Sequence, residues 1–159
     1  MSVQYNFSLT VKWTGNAGSG TNNYKSYNRS HSVSIKGKPD LECSSDVSFR
    51  GDKSKYTPED LLVASISGCH MLWYLHLCSE NGIIITDYID NAKGTMIVEP
   101  NGSGRFTNVT LYPQVTIIDE TMQQKATDLH KKANQLCFIA NSCNFPISHQ
   151  PVFKIKSDK

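Results

Sequence analysis

The sequence predicts an α+β fold in which two mostly antiparallel β-sheets pack around two long central helices. Two stretches, Thr57 to Gly82 and Thr121 to Ala140, carry apolar residues at helical spacing. The other apolar residues fall in short alternating or β-branched runs that read as strands. Their order is β-β-β-α-β-β-α-β, which lacks the strand-helix alternation of a doubly wound parallel sheet. A chain of 159 residues is long enough to form one domain over 1–159 with its own core.

In the first strand Tyr5, Phe7, Leu9, Val11 and Trp13 alternate with more polar residues, so it is expected to be half-buried. Gly15 to Asn23 is a loop by composition, and Ser30 to Lys36 forms the second strand. A turn at Gly37 to Asp40 leads to a third strand over Leu41 to Val47, and the polar segment Ser48 to Tyr56 carries the chain to the first helix. There Thr57 fits the N-cap, Pro58 the first helical position and Asp60 the acid of a capping box, while Gly82 stops the helix. Leu62, Ile66, Cys69, Trp73 and His76 recur at helical spacing and place Cys69 on a buried apolar face.

Ile83 to Glu99 and Phe106 to Ile118 read as two long strands of a hairpin turned at Pro100 to Gly104, with a bulge or bend at Asn91 to Gly94. Asp119 and Glu120 precede the second helix, whose stripe is Ala126, Leu129, Ala133, Leu136, Cys137 and Ala140. Asn144 and Pro146 break it, and Val152 to Ile155 is the closing strand.

At 38% hydrophobic and 19% charged residues, the composition is that of a globular chain rather than a disordered one. A net charge of +2, with no cluster of Lys and Arg, gives no reason to expect nucleic acid or an anionic membrane as partner. Met1 to Gly15 lacks the regions of a signal peptide, and no apolar run approaches a bilayer span of about 20 residues, so a cytoplasmic location is expected. The five cysteines (Cys43, Cys69, Cys78, Cys137 and Cys143) are odd in number and not spaced as a secreted disulfide framework.

Buried free cysteine is common as a small hydrophobe, and Cys43, Cys78 and Cys143 take that reading. Cys69 and Cys137 share a different setting, each on the buried face of one of the two long helices. If those helices pack together, the thiols can form a disulfide provided their Cα atoms come within about 7 Å. His70 follows Cys69 but points about 100° away from it, and His76 is most simply a core histidine. No CxxC or HxxxH spacing supports zinc at Cys69, His76 and Cys137, and neither a phosphate-binding glycine loop nor GxSxG occurs.

The run PEDLLVASISGC, with Pro58, Glu59, Leu61, Leu62, Ala64, Gly68 and Cys69, resembles the signature of the OsmC/Ohr family of cysteine-based peroxidases. There the reactive cysteine follows the glutamate by ten residues, as Cys69 follows Glu59. KANQLCFIANS is similar to the family's second cysteine segment, and the first strand ends in Trp13-Thr14-Gly15 in keeping with it. In many members a proline follows the second cysteine; here it is Phe138, with Cys143 six residues beyond Cys137.

The resemblance implies an OsmC-like fold, an intertwined homodimer and reduction of organic hydroperoxides, and of hydrogen peroxide as an alternative substrate. Cys69 would be the peroxidatic thiol and Cys137 the resolving one. No metal, flavin or haem cofactor is implied, only an external dithiol reductant of lipoyl or thioredoxin type. An arginine oriented by Glu59 would stabilise the thiolate, since burial alone raises a thiol pKa. Arg29 matches the family's location better, and Arg50 is its rival. Ten residues of straight helix span about 15 Å, so Glu59 and Cys69 of one site come either from a bent helix or from different subunits. From a different class, a binding module would line a ligand pocket with Met71, Trp73 and Phe138. A redox sensor using the same disulfide is a third reading.

Overall fold

The structure, a computed structural model, describes residues 2–156. The chain divides into two compact units, the first ending at Leu61 and the second beginning at Leu62. In the first, β1 (Thr10–Trp13), β2 (His31–Ser34) and β3 (Leu41–Cys43) form an antiparallel sheet in that order. Trp13 pairs with His31, and its indole N–H donates to the Asn28 carbonyl at 2.8 Å. The first strand is shorter than expected and is not half-buried. Tyr5, Phe7 and Leu9 precede β1 and stand 76%, 95% and 58% exposed. Alternation marks an apolar face that needs cover, and none of the described residues of the first unit covers it.

Helix α1 spans Pro58–Glu80. The capping box is present: Asp60 N–H donates to Thr57 Oγ1 at 3.1 Å, and Thr57 N–H donates to Asp60 Oδ2 at 2.9 Å. Thr57→Ala should therefore lower stability by about 1 kcal/mol, with Thr57→Ser close to wild type, as read from urea midpoints. At the other end Gly82 adopts φ +69°, and Ile83 N–H returns to the Cys78 carbonyl at 2.9 Å.

The buried face of α1 differs from the one the apolar spacing predicts. Ile66, His70, Tyr74, Leu77 and Cys78 are its buried residues, whereas Cys69 is half-buried and His76 exposed. The stripe that counts is therefore one position further round. Contrary to the sequence reading, α1 is also long and apolar enough to cross a membrane by length and composition alone. Its buried residues are those of a core helix: Ile66 belongs to one apolar cluster, and Tyr74, Leu77 and Cys78 to another.

Each expected long strand of the second unit is two. Ile83 to Glu99 contains β4 (Ile85–Asp90) and β5 (Lys93–Val98), while Phe106 to Ile118 divides into β6 (Gly104–Leu111) and β7 (Pro113–Ile117). The breaks lie at the same level of the hairpin. Asp90 Oδ1 accepts the Tyr112 N–H at 2.7 Å, and its Oδ2 accepts the Ser67 hydroxyl of α1 at 2.5 Å. Pro113 has no N–H to continue a ladder. The two halves then join different closing strands. A short β8 (Ile147–His149), which the sequence did not suggest, lies parallel to β6, and β9 (Val152–Ile155) lies parallel to β7. The α+β class holds, with three three-stranded sheets among the described residues, of which β4-β7-β9 and β5-β6-β8 are mixed.

The second helix, α2 (Gln123–Leu136), follows a 3₁₀ turn at Glu120–Met122 whose start is capped by Asp119. It ends earlier than expected: Cys137 has left the helix with φ −66° and ψ 112°, so this cysteine caps α2 instead of sitting within it. Ala126, Leu129 and Ala133 pack with Tyr74, Leu77, Val115 and Ile117 in the larger core cluster.

Candidate active site

Among the expected residues, the structure brings Cys69 and Cys137 together in the second unit. The two thiols are neighbours, close enough for Cys69 to raise Cys137, and both are free. Cys137 is fully buried and Cys69 half-buried, which opens the Cys69 side of the pair to a reactant. Burial, and then the Cys69 thiol, push Cys137 up to about 11, although its sulfur accepts the Ala140 N–H at 3.4 Å. Cys137 is therefore held as the neutral thiol at pH 7.

Beside the thiols is an aromatic edge. Trp73, one turn beyond Cys69, meets the ring of Phe138 at 5.5 Å with the planes at 89°. Phe138 immediately follows Cys137 and is 69% exposed. On its other side Trp73 touches His76 at 5.8 Å.

Glu59, Arg29 and Arg50 belong to the first unit. The Arg29 guanidinium lies 4.2 Å from the ring centres of both Tyr24 and Tyr27 and donates to their carbonyl oxygens at 2.8 and 2.6 Å. Arg50 is exposed and left-handed, with φ 65°, where it ends the 3₁₀ turn Val47–Phe49. Glu59 is half-buried in the first turn of α1. The first unit does not pair it with either arginine; the ion pairs among the described residues are Lys55–Glu42 and Arg105–Glu99.

The sequence reading missed a cluster of buried histidines. His70 Nε2 and His130 Nδ1 are 3.0 Å apart, both rings fully buried. His149 of β8 lies 5.5 Å from His70 and 5.8 Å from His130, ring centre to ring centre. Tyr74 stacks on His130 at 3.8 Å. Burial lowers His70 to about 4 and His130 to about 3, with each helped by neighbouring imidazoles, so both rings are neutral at pH 7. The missed signal was spacing: Ile66, His70, Tyr74 and Leu77 form a helical stripe once His and Tyr are counted as buriable. Among the described residues, no group of three or more His, Cys, Asp or Glu has the geometry to hold a metal ion.

A family model described as OsmC-like protein matches residues 51–151. No curated protein matches. Among solved structures, the chain is similar to an OsmC-like protein of unknown function from Vibrio cholerae, with 26% identity and a TM-score of 0.83 over 94% of this chain and 100% of that one. It is also similar to an organic hydroperoxide resistance protein from Elizabethkingia anophelis, at 20% identity and a TM-score of 0.69 over 98% and 100% of the two chains. A third, described as an organic hydroperoxide resistance protein from Legionella pneumophila, has 16% identity and a TM-score of 0.70 over 97% and 100%.

Proposed function

The chain belongs to the OsmC-like protein family, and from that premise we propose that it is a cysteine-based peroxidase acting on organic hydroperoxides. The observation that carries the reading is the Cys69–Cys137 thiol pair, in which Cys137 is buried and held protonated while Cys69 is half-buried. Cys69 is then the attacking sulfur, because it is the thiol of the pair that a peroxide can reach, and it attacks as the thiolate. Its sulfur takes the terminal oxygen, the O–O bond breaks and the alcohol leaves with a proton, which makes Cys69 a sulfenic acid. The Cys137 sulfur then attacks Cys69, water leaves, and the disulfide protects Cys69 from further oxidation. An external dithiol reopens the bridge by exchange. Trp73 and Phe138 supply the apolar wall that favours an organic peroxide over hydrogen peroxide.

We assign thiolate stabilisation to Glu59 with Arg29 or Arg50. Arg29 is held by its own loop, whereas the Arg50 side chain makes no hydrogen bond among the described residues, so Arg50 is the freer of the two. The active form in this reading is a homodimer. What supports it is the exposed apolar run Val3, Tyr5, Phe7, Leu9 and Val11, 58–95% exposed, a surface that a second copy would cover. Five free thiols suit a reducing, cytoplasmic setting.

The test is thiol titration before and after one equivalent of cumene hydroperoxide without added reductant. Rapid loss of two thiols per chain, with a Cys69–Cys137 bridge in the peptide map, is the expected result. Retention of all thiols would overturn the peroxidase and favour a binding module lined by Met71, Trp73 and Phe138.

A further inference from the structure

We propose that the buried His70–His130 imidazole pair positions Cys69 against Cys137 and so governs closure of their disulfide. This rests on the reading of those cysteines as a redox pair. His70 follows Cys69 on α1, and His130 lies on the buried face of α2 with Ala133, seven residues before Cys137, which caps that helix. His70, His130, Ala133 and Cys137 are each 0% exposed. Among the described residues, His70–His130 is the one side-chain hydrogen bond that joins α1 to α2.

The geometry is that of a directional link. The two rings are coplanar within 6°, their centres 5.3 Å apart and the facing nitrogens 3.0 Å apart, so one N–H points straight at the other ring's lone pair. Neither ring can turn away freely. Tyr74 covers His130 at 3.8 Å, His149 packs on both imidazoles, and Phe153 meets His130 at 6.2 Å. Apolar contacts between helices are non-directional and tolerate sliding, whereas this bond does not. A disulfide needs Cα atoms about 4.4–6.8 Å apart and a torsion near ±90°, so a small slide of one helix past the other removes the closing geometry. The imidazoles act as positioning residues, through α1, which carries Cys69, and through the end of α2, which Cys137 caps.

The readout is the equilibrium of the thiol pair with glutathione. Oxidised glutathione takes two electrons and two protons from Cys69 and Cys137 to give the protein disulfide and two reduced glutathiones, and the constant is the effective concentration of one thiol at the other. Mass spectrometry of the alkylated Cys69–Cys137 peptides reads it. His130→Phe keeps a ring on Tyr74 but removes the bond, and the constant should fall at least about tenfold, or about 30 mV. His130→Asn places an amide near the Nδ1 position and should stay within about threefold of wild type. Equal constants in the Phe and Asn variants, whether both high or both low, would overturn the inference. Should His130→Phe not fold, His70→Phe/His130→Phe takes its place, since it leaves no buried imidazole without its partner, and must show the same loss. No peroxide enters the assay. A protein that closes the bridge but consumes no peroxide refutes the peroxidase reading alone, whereas a wild type that closes no bridge refutes both.

Discussion

Cys69→Ser should abolish consumption of cumene hydroperoxide, lowering the rate by at least about 10³-fold, as removal of a catalytic nucleophile does. A serine hydroxyl stays protonated at neutral pH and offers no soft anion to a peroxide oxygen. The neighbouring Cys137 should not replace it. Burial, the largest cause of its raised pKa, still keeps that thiol protonated, and its side chain is fully buried. Cys137→Ser should separate the two halves of the cycle. Without added reductant it should consume its first equivalent of peroxide with the loss of one thiol, and a second equivalent should carry Cys69 to the sulfinic acid, seen as a 32 Da gain by mass spectrometry, about the mass of two oxygens. Protection of Cys69 in this variant would point to Cys143 as the resolving thiol. Full activity in Cys69→Ser would sink the mechanism.

Acidification should destabilise the folded chain well before its carboxylates titrate. His70 is held neutral in the fold down to about pH 4 and His130 down to about 3, because charging either would place a cation in the core. Above the ordinary histidine pKa of 6.5 both folded and unfolded chains are neutral at these sites, so they add no pH dependence. Below it the unfolded chain takes up protons that the folded one refuses, and stability falls until the folded pKa is reached. His70 alone should remove about 3 kcal/mol across that window, and His130 acts in the same direction.

Their surroundings offer no relief. Tyr74 and Cys78 from α1, Tyr88 from β4 and His149 from β8 are all groups whose own charging burial disfavours, and Lys131 lies near enough to lower His149. Urea midpoints at pH 7, 5.5 and 4.5 should fall steeply for wild type and much less for His70→Phe/His130→Phe. The carboxylates lowered by their hydroxyl and backbone partners, Asp46, Asp52 and Asp119, act only at lower pH. Parallel curves for the two proteins would show that the imidazoles are not neutral in the fold.

The residues that shape α1 were legible in the sequence because each acts within a turn or two of itself. Thr57 and Asp60 cap each other across three residues, and Gly82 reverses the backbone one residue after the chain leaves the helix. The same locality made the OsmC/Ohr motif readable, since the spacing from Glu59 to Cys69 is itself a sequence feature. The hairpin turn at Pro100 to Gly104 and the bend near Asn91 follow from local turn chemistry in the same way.

Other features depend on distant partners. A count of apolar residues skips His70 and Tyr74, so it chose the Cys69 face of α1, one position away from the face that is buried. Asp90 divides the long hairpin by accepting from Tyr112, 22 residues away, and from Ser67, 23 residues away. His70 and His130 are 60 residues apart and meet because β6, β7 and α2 bring the chain back across α1. Helices, caps, turns and the Glu59–Cys69 motif were thus settled along the chain, where neighbours fix backbone angles. The buried face of α1, the release of Cys137 from α2 and the imidazole bond behind the thiol pair came from packing. Long-range contacts of that kind leave no periodic trace in the sequence.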